Sequence, residues 1–192
     1  MSKFNVELLG FLGEKGGQKN RLVFKKKNDP SVRGFHIWPY GIWTGTTYNL
    51  LDTSNTPRGV APVSGYAYRV NAAVGNVNYG TVVGTGTNAV TVDDYNLQTK
   101  IAHGTGSGQF QYGDVTFTAP YTSGNDRIVE VIRAFTNGSG GTVTVNEIGL
   151  VWNYEGQATW YFLGWRDVLS SGVEVLDTKI LTVTYKIKVT AP

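Results

Sequence analysis

Cysteine is absent from the chain, so neither a disulfide framework nor a thiolate metal site is available to it. Histidine occurs only at His36 and His103, far apart and without the further spaced ligands that a zinc site needs. A nucleophilic triad would have to draw its base from those two imidazoles, and no Gly-x-Ser-x-Gly elbow accompanies them. No apolar run approaches the length of a membrane span, and Met1-Ser2-Lys3-Phe4 does not open like a signal peptide. Leu, Glu and Lys are scarce, and charged residues are only 16% of the whole. What fills the space is Gly, Thr, Val, Asn and Tyr, a composition that favours strands joined by many turns.

At 192 residues the chain is long enough for one domain with a substantial core. Its clearest element is the closing run Lys179 to Thr190. Leu181, Val183, Tyr185, Ile187 and Val189 share one face there, while Thr182, Thr184, Lys186, Lys188 and Thr190 share the other. Alternation this strict predicts a strand with one dry and one wet face, its lysines discouraging stray edge pairing. Ile128 to Phe135 is apolar apart from Glu130 and Arg133, which predicts a central strand covered on both sides. Asn137-Gly138-Ser139-Gly140-Gly141 follows as a hairpin connection. Thr142 to Trp152 alternates again, with a phase slip at Asn146-Glu147 that predicts a bulge. Trp160 to Trp165 reads as an aromatic strand, with Arg166-Asp167 opening the loop into the closing strand. Short strands with Gly and Asn turns at regular spacing predict an all-β fold, an antiparallel β-sandwich of jelly-roll-like type over residues 34–192.

The net charge of +3 is unevenly spread. Residues 1–33 hold eight cations against three carboxylates, about +5, so the remainder is slightly acidic. Phe4 to Leu12 and Arg21 to Lys27 read as two short strands, a basic N-terminal arm or hairpin that carries Leu8 and Leu9 beside Lys3, Lys25, Lys26 and Lys27. Lys3, Phe4, Leu8, Leu9 and the three lysines are the candidate assembly residues. Removing residues 2–28 is expected to abolish assembly and leave the sandwich folded. The lysine run is either a solvated strand end or a contact with an acidic neighbour, nucleic acid or subunit.

Phe35 to Trp43 is dense in aromatics, and Pro39 and Gly41 bend it. Trp38, Tyr40 and Trp43, or Trp152, Tyr154 and Trp160, are candidate platforms for stacking on sugar rings or for a subunit contact. Gly84-Thr85-Gly86-Thr87-Asn88-Ala89 resembles a dinucleotide fingerprint only superficially. Val90-Thr91-Val92 follows it instead of the helix on whose N-terminus phosphates would sit, so a nucleotide site is rejected. Asp93-Asp94 is expected to start a short helical turn through Leu97; with Asn96 it matches a calcium loop only in part. Glu130, Glu147, Glu155 and Asp167 are available for acid–base work, but their spacing selects no pair. Glu147, inside a strand pattern, is expected to bond a neighbouring loop or Arg166. No catalytic residue, metal or cofactor is called for.

Three segments in order carry a resemblance. They are Val83-Gly84-Thr85-Gly86-Thr87 through Asp94-Tyr95-Asn96-Leu97, then Phe135-Thr136-Asn137 through Asn146-Glu147-Ile148-Gly149-Leu150, then Arg166-Asp167-Val168 through Leu181-Thr182-Val183-Thr184-Tyr185. Over roughly residues 80–190 this series resembles small virion structural proteins of tailed bacteriophages, the head, neck or tail-appendage components. The resemblance implies a non-enzymatic, repeatedly assembled β-sandwich in the virion, made in the host cytoplasm. Its partners would be copies of itself and other virion proteins. A carbohydrate-binding module that holds a host-surface glycan is the alternative.

Overall fold

The structure is a computed structural model that describes residues 3–14, 21–27, 47–60, 68–155 and 159–190. Among the described residues every regular element is a strand and every strand pairing is antiparallel. In chain order they are β1 (Lys3–Glu14), β2 (Arg21–Lys27), β3 (Tyr48–Leu51), β4 (Pro57–Val60), β5 (Tyr68–Arg69) and β6 (Gly80–Gly84). The second half supplies β7 (Gln111–Phe117), β8 (Tyr121–Ser123), β9 (Asp126–Thr136), β10 (Val143–Glu155), β11 (Thr159–Val175) and β12 (Lys179–Thr190). No helix among the described residues is long and apolar enough to cross a membrane.

One sheet runs β2-β1-β12-β9-β7, with β8 also on β9; a second runs β11-β10-β5, with β6 also on β10. A two-stranded β3–β4 hairpin stands apart. Both larger sheets feed one core. Leu8, Val131, Phe135, Leu181, Val183 and Tyr185 meet Val82, Val83, Val145, Ile148, Leu150 and Leu163, all buried. Each such large apolar side chain contributes about 1.5–3 kcal/mol when withdrawn from water. Under the β3–β4 hairpin a smaller cluster gathers Leu50, Val60, Tyr154 and Phe162.

The closing strand lies where the alternation placed it, at Lys179–Thr190, but in the middle of its sheet with β1 and β9 on either side. Its lysines therefore guard no edge. Lys186 reaches Glu130 at 2.8 Å, and Lys188 reaches Glu7 at 3.0 Å and Asp126 at 3.4 Å, tying three strands across the outer face. Residues 3–14 and 21–27 do form an antiparallel pair, but the first of them is an inner strand. Lys3 and Phe4 stand opposite Thr190 and Val189, Leu8 is fully buried, and Leu9 is 8% exposed. Deleting residues 2–28 would remove that strand from the core, so the shortened chain is not expected to stay folded.

Two turns differ from expectation. Residues 137–142 do not close a hairpin, because β9 belongs to one sheet and β10 to the other. The chain crosses there between layers, and it crosses back at 176–178, where Thr178 takes φ 67°. Asn137 staples the crossings together. Its N–H donates to Lys179 O and its carbonyl accepts from Thr178 N, both at 2.9 Å, while Nδ2 donates to Gly141 O and Val175 O at 2.7 Å. Arg166-Asp167 opens no loop: β11 runs on to Val175, because Val168 still pairs with Glu147. At the phase slip of Asn146 the register does shift between Val145 and Glu147, but the extra residues, Leu169–Gly172, stand in β11 opposite Asn146.

Candidate functional site

The Gly84–Ala89 stretch finds its explanation at Glu147. That residue follows the register shift between β10 and β11 and pairs with Gly84 on one side and Val168 on the other, which turns its carboxylate beneath loop 85–99. Oε1 accepts from Gly86 N at 3.1 Å and Thr99 N at 2.7 Å. Oε2 accepts from Gln98 N at 3.0 Å and from Arg166 Nε at 2.9 Å. A Cβ at Gly84 or Gly86 would stand 2.6 or 2.5 Å from Oε1, so the glycines admit a carboxylate of the protein itself, not a phosphate. Glu147 is fully buried, and its two oxygens accept from three backbone N–H groups and the Arg166 guanidinium.

Arg166 extends the network. Nη1 donates to Asp94 Oδ2 at 2.8 Å and Nη2 to Asn88 O at 3.2 Å. Asp94 accepts in turn from Thr91 N and Thr91 Oγ1, closing a turn at 91–94 in place of the expected helical turn. Burial works against ionisation of Asp94, but the bonds from Thr91 and Arg166 outweigh it and hold the carboxyl below its usual range. The Asp94 oxygens are thus spent on the chain, and no cluster of three or more His, Asp or Glu suited to a metal occurs among the described residues.

A second buried cation escaped the sequence reading. Arg133 sits at an inward position of β9, between Val131 and Phe135, with no measurable exposure. Its guanidinium gives all five N–H bonds to backbone carbonyls: Gly113, Tyr79, Thr81, Ala73 and Asn76, at 2.6–3.2 Å. The Tyr112 ring faces it at 4.9 Å. Withdrawal from water pushes its pKa down to about 10, so it stays cationic at neutral pH. The signal was available, since residues 131, 133 and 135 share the dry face of their strand. Arg133 is a spool on which segment 73–81 is wound.

The aromatic candidates divide. Trp152 is 7% exposed and stands edge-on to Trp165 in the core, so it offers no ring face to a sugar. Tyr154 is buried and stacks on Trp160 at 5.6 Å, while Arg58 lies over the Trp160 ring at 5.5 Å. Asp52 fixes that arginine at 2.8 Å and caps its own loop through Ser54 N and Thr56 N, each at 3.0 Å. Trp38, Tyr40 and Trp43 lie outside the described residues. His103 accepts from Tyr112 N through Nδ1 at 3.0 Å, a structural bond.

Of the assembly candidates, Lys25, Lys26 and Lys27 fall on one sheet margin, whereas Lys3, Phe4, Leu8 and Leu9 lie on the inner strand β1. Among the described residues β2 has β1 on one side and no strand on the other. Lys25 is 45% exposed in its side chain and reaches Glu7 at 3.6 Å. Lys26 and Lys27 stand opposite Leu8 and Glu7 in the register. Beside this edge lies an open groove of about 930 Å³, whose walls include Leu12, Leu22 and Val23 from one sheet and Gly172 and Leu176 from the other side. Compared with protein-family models, curated proteins and solved structures, the chain matches none.

Proposed function

We propose that this chain is a non-enzymatic structural protein of a tailed-phage virion, built as a jelly-roll-like antiparallel β-sandwich that assembles with copies of itself. It would serve at the capsid surface, neck or tail, beside other virion proteins. The observation that carries the reading is the meeting of the three resembling segments at one buried point. Gly84 and Gly86 come from the first, Glu147 from the second and Arg166 from the third. Their charges are consumed in holding loop 85–99, and Arg133 is consumed in holding segment 73–81. A domain in which Glu147, Arg166 and Arg133 are all spent on loop rigidity suits a part that must present fixed surfaces to its neighbours. The arm of that reading loses β1, which is integral to the core.

Light scattering over a range of protein and salt concentration tests it. A defined oligomer, ring or growing tube is expected. A strict monomer under every condition would overturn self-assembly as the function.

A further inference from the structure

We propose that the outer edge of β2 is a strand-docking site for an extended segment of a different protein, acidic where it meets Lys25–Lys27 and apolar where it meets Leu22. The inference goes beyond self-assembly, because its partner is another chain.

The six-stranded sheet has two margins, and the fold treats them differently. At β7 the outer edge is occupied by the chain itself: Gly75 N donates to Tyr112 O at 2.9 Å and Val115 N to Ala72 O at 2.8 Å. At β2 no described strand does the same. An open edge presents main-chain N–H and C=O groups at strand spacing, and an added strand satisfies them. Next to it, Leu22 is 49% and Leu176 54% exposed, on the two sides of the groove. A strand laid along β2 would cover Leu22 and enter that groove.

Charge decides the occupant. β2 carries Arg21, Lys25, Lys26 and Lys27 within seven residues. Antiparallel pairing with the β2 of a second copy would bring Arg21 opposite Lys27, cation against cation. Nor does the chain hold an acidic strand to offer: its only adjacent carboxylates are Asp93-Asp94, and Asp94 is held by Arg166. Nucleic acid would meet Glu14 and Glu174, which line the same groove. Lysines can also serve only to keep an edge unpaired. Here they crowd into the last three positions and leave Leu22-Val23-Phe24, the half beside the groove, unguarded.

The partner follows from this division. In the antiparallel sense common to the whole sheet, its leading residues are carboxylates and its trailing ones alternate apolar and polar. The probe is a fluorescein-labelled peptide of about twelve residues, three glutamates followed by alternating valine and threonine. Its anisotropy is read against the full-length protein at a concentration where the mass is known. Saturable binding is expected, weakened about tenfold by Lys25→Glu with Lys27→Glu, and restored by Lys25→Arg with Lys27→Arg. Raising salt from about 0.05 to 0.5 M should weaken it, and a peptide with proline at alternate positions should not bind. The unfolding midpoint of each variant shows that the fold survives.

Equal binding of the proline peptide would overturn the strand-docking proposal. So would tighter binding of an oligothymidylate that competes with the peptide, or a doubling of mass that Lys25→Glu abolishes without peptide present. A failed peptide assay leaves the mass series of the assembly reading intact, and a strict monomer leaves the peptide assay intact.

Discussion

Arg166 grips Glu147 through both Nε and Nη2 at 2.9 Å, with the arginine side chain 3% exposed and the glutamate fully enclosed. The pair lies between β10 and β11, yet what it stabilises is the irregular loop 85–99 lying over them. A buried ion pair adds little over a well-packed apolar pair, but breaking one strands a charge. Its value here is in fixing one loop conformation.

Glu147→Gln keeps the shape and removes the charge. The amide nitrogen must then face the N–H of Gln98, Thr99 or Gly86, or the guanidinium, donor against donor. A loss of about 3–5 kcal/mol in urea unfolding is expected, together with faster amide exchange at Gly86 and Thr99. Unchanged exchange at those amides would remove the carboxylate from its role as loop anchor.

Arg133→Lys tests the spool. A lysine has three donors where five carbonyls now accept, and an ammonium cannot span Gly113 to Asn76 as the planar fork does. Each orphaned buried acceptor costs about 1–3 kcal/mol. The chain should unfold at clearly lower urea, and proteolysis should begin within residues 73–79. Cleavage elsewhere first would show that another contact holds the segment.

Acid should unfold this protein through a few identifiable carboxylates. Burial opposes ionisation at Asp52, Asp94 and Glu130, but bonds from Ser54 and Arg58, from Thr91 and Arg166, and from Lys186 and Tyr121 outweigh it. All three are thus held below their ordinary values. The unfolded chain then binds more protons as pH falls, so this stability is full at neutral pH and is lost below about pH 5. Lys186 is held above its ordinary value, mainly by Glu130, so its share persists through neutrality and fades only in strong alkali. Urea midpoints across pH should form a plateau with an acid limb, and Asp94→Asn should flatten that limb. Parallel curves for variant and parent would exclude Asp94 as a contributor.

Gly10 sits beneath the Phe24 ring, where an added Cβ would collide with the ring atoms. Gly10→Ala should cost about 1–3 kcal/mol by overpacking and should loosen β2 from β1. In a Phe24→Ala background the same change should cost much less, since the space is then free. Additive losses in the double-mutant cycle would place the strain elsewhere.

Strand content and phase were legible in the chain because they depend on near neighbours. Strict alternation from Leu181 to Val189 matched the bounds of β12 and its buried face at Leu181, Val183 and Tyr185, but Val189 is 46% exposed and Thr184, on the expected wet face, is buried; the phase slip at Asn146 coincides with a register shift. The same logic would have exposed Arg133, whose inward parity was readable before any partner was known. Glu147 was foreseen as a loop or arginine partner for a similar reason, since a carboxylate inside a strand pattern must find donors.

Sheet membership, by contrast, was decided only by tertiary packing. Nothing local distinguishes the turn at 137–142 from a hairpin loop, yet the chain changes layers there because Asn137 bonds to Val175, Thr178 and Lys179. The N-terminal strand pairs with residues some 180 positions away, a choice set by burying Leu8 against the far sheet. Arg166 reads locally as the start of a loop and becomes a buried strand residue because Glu147 neutralises it there. Periodicity assigns each side chain a face; which partner covers that face is settled by contacts between distant segments, where burial and charge must balance together.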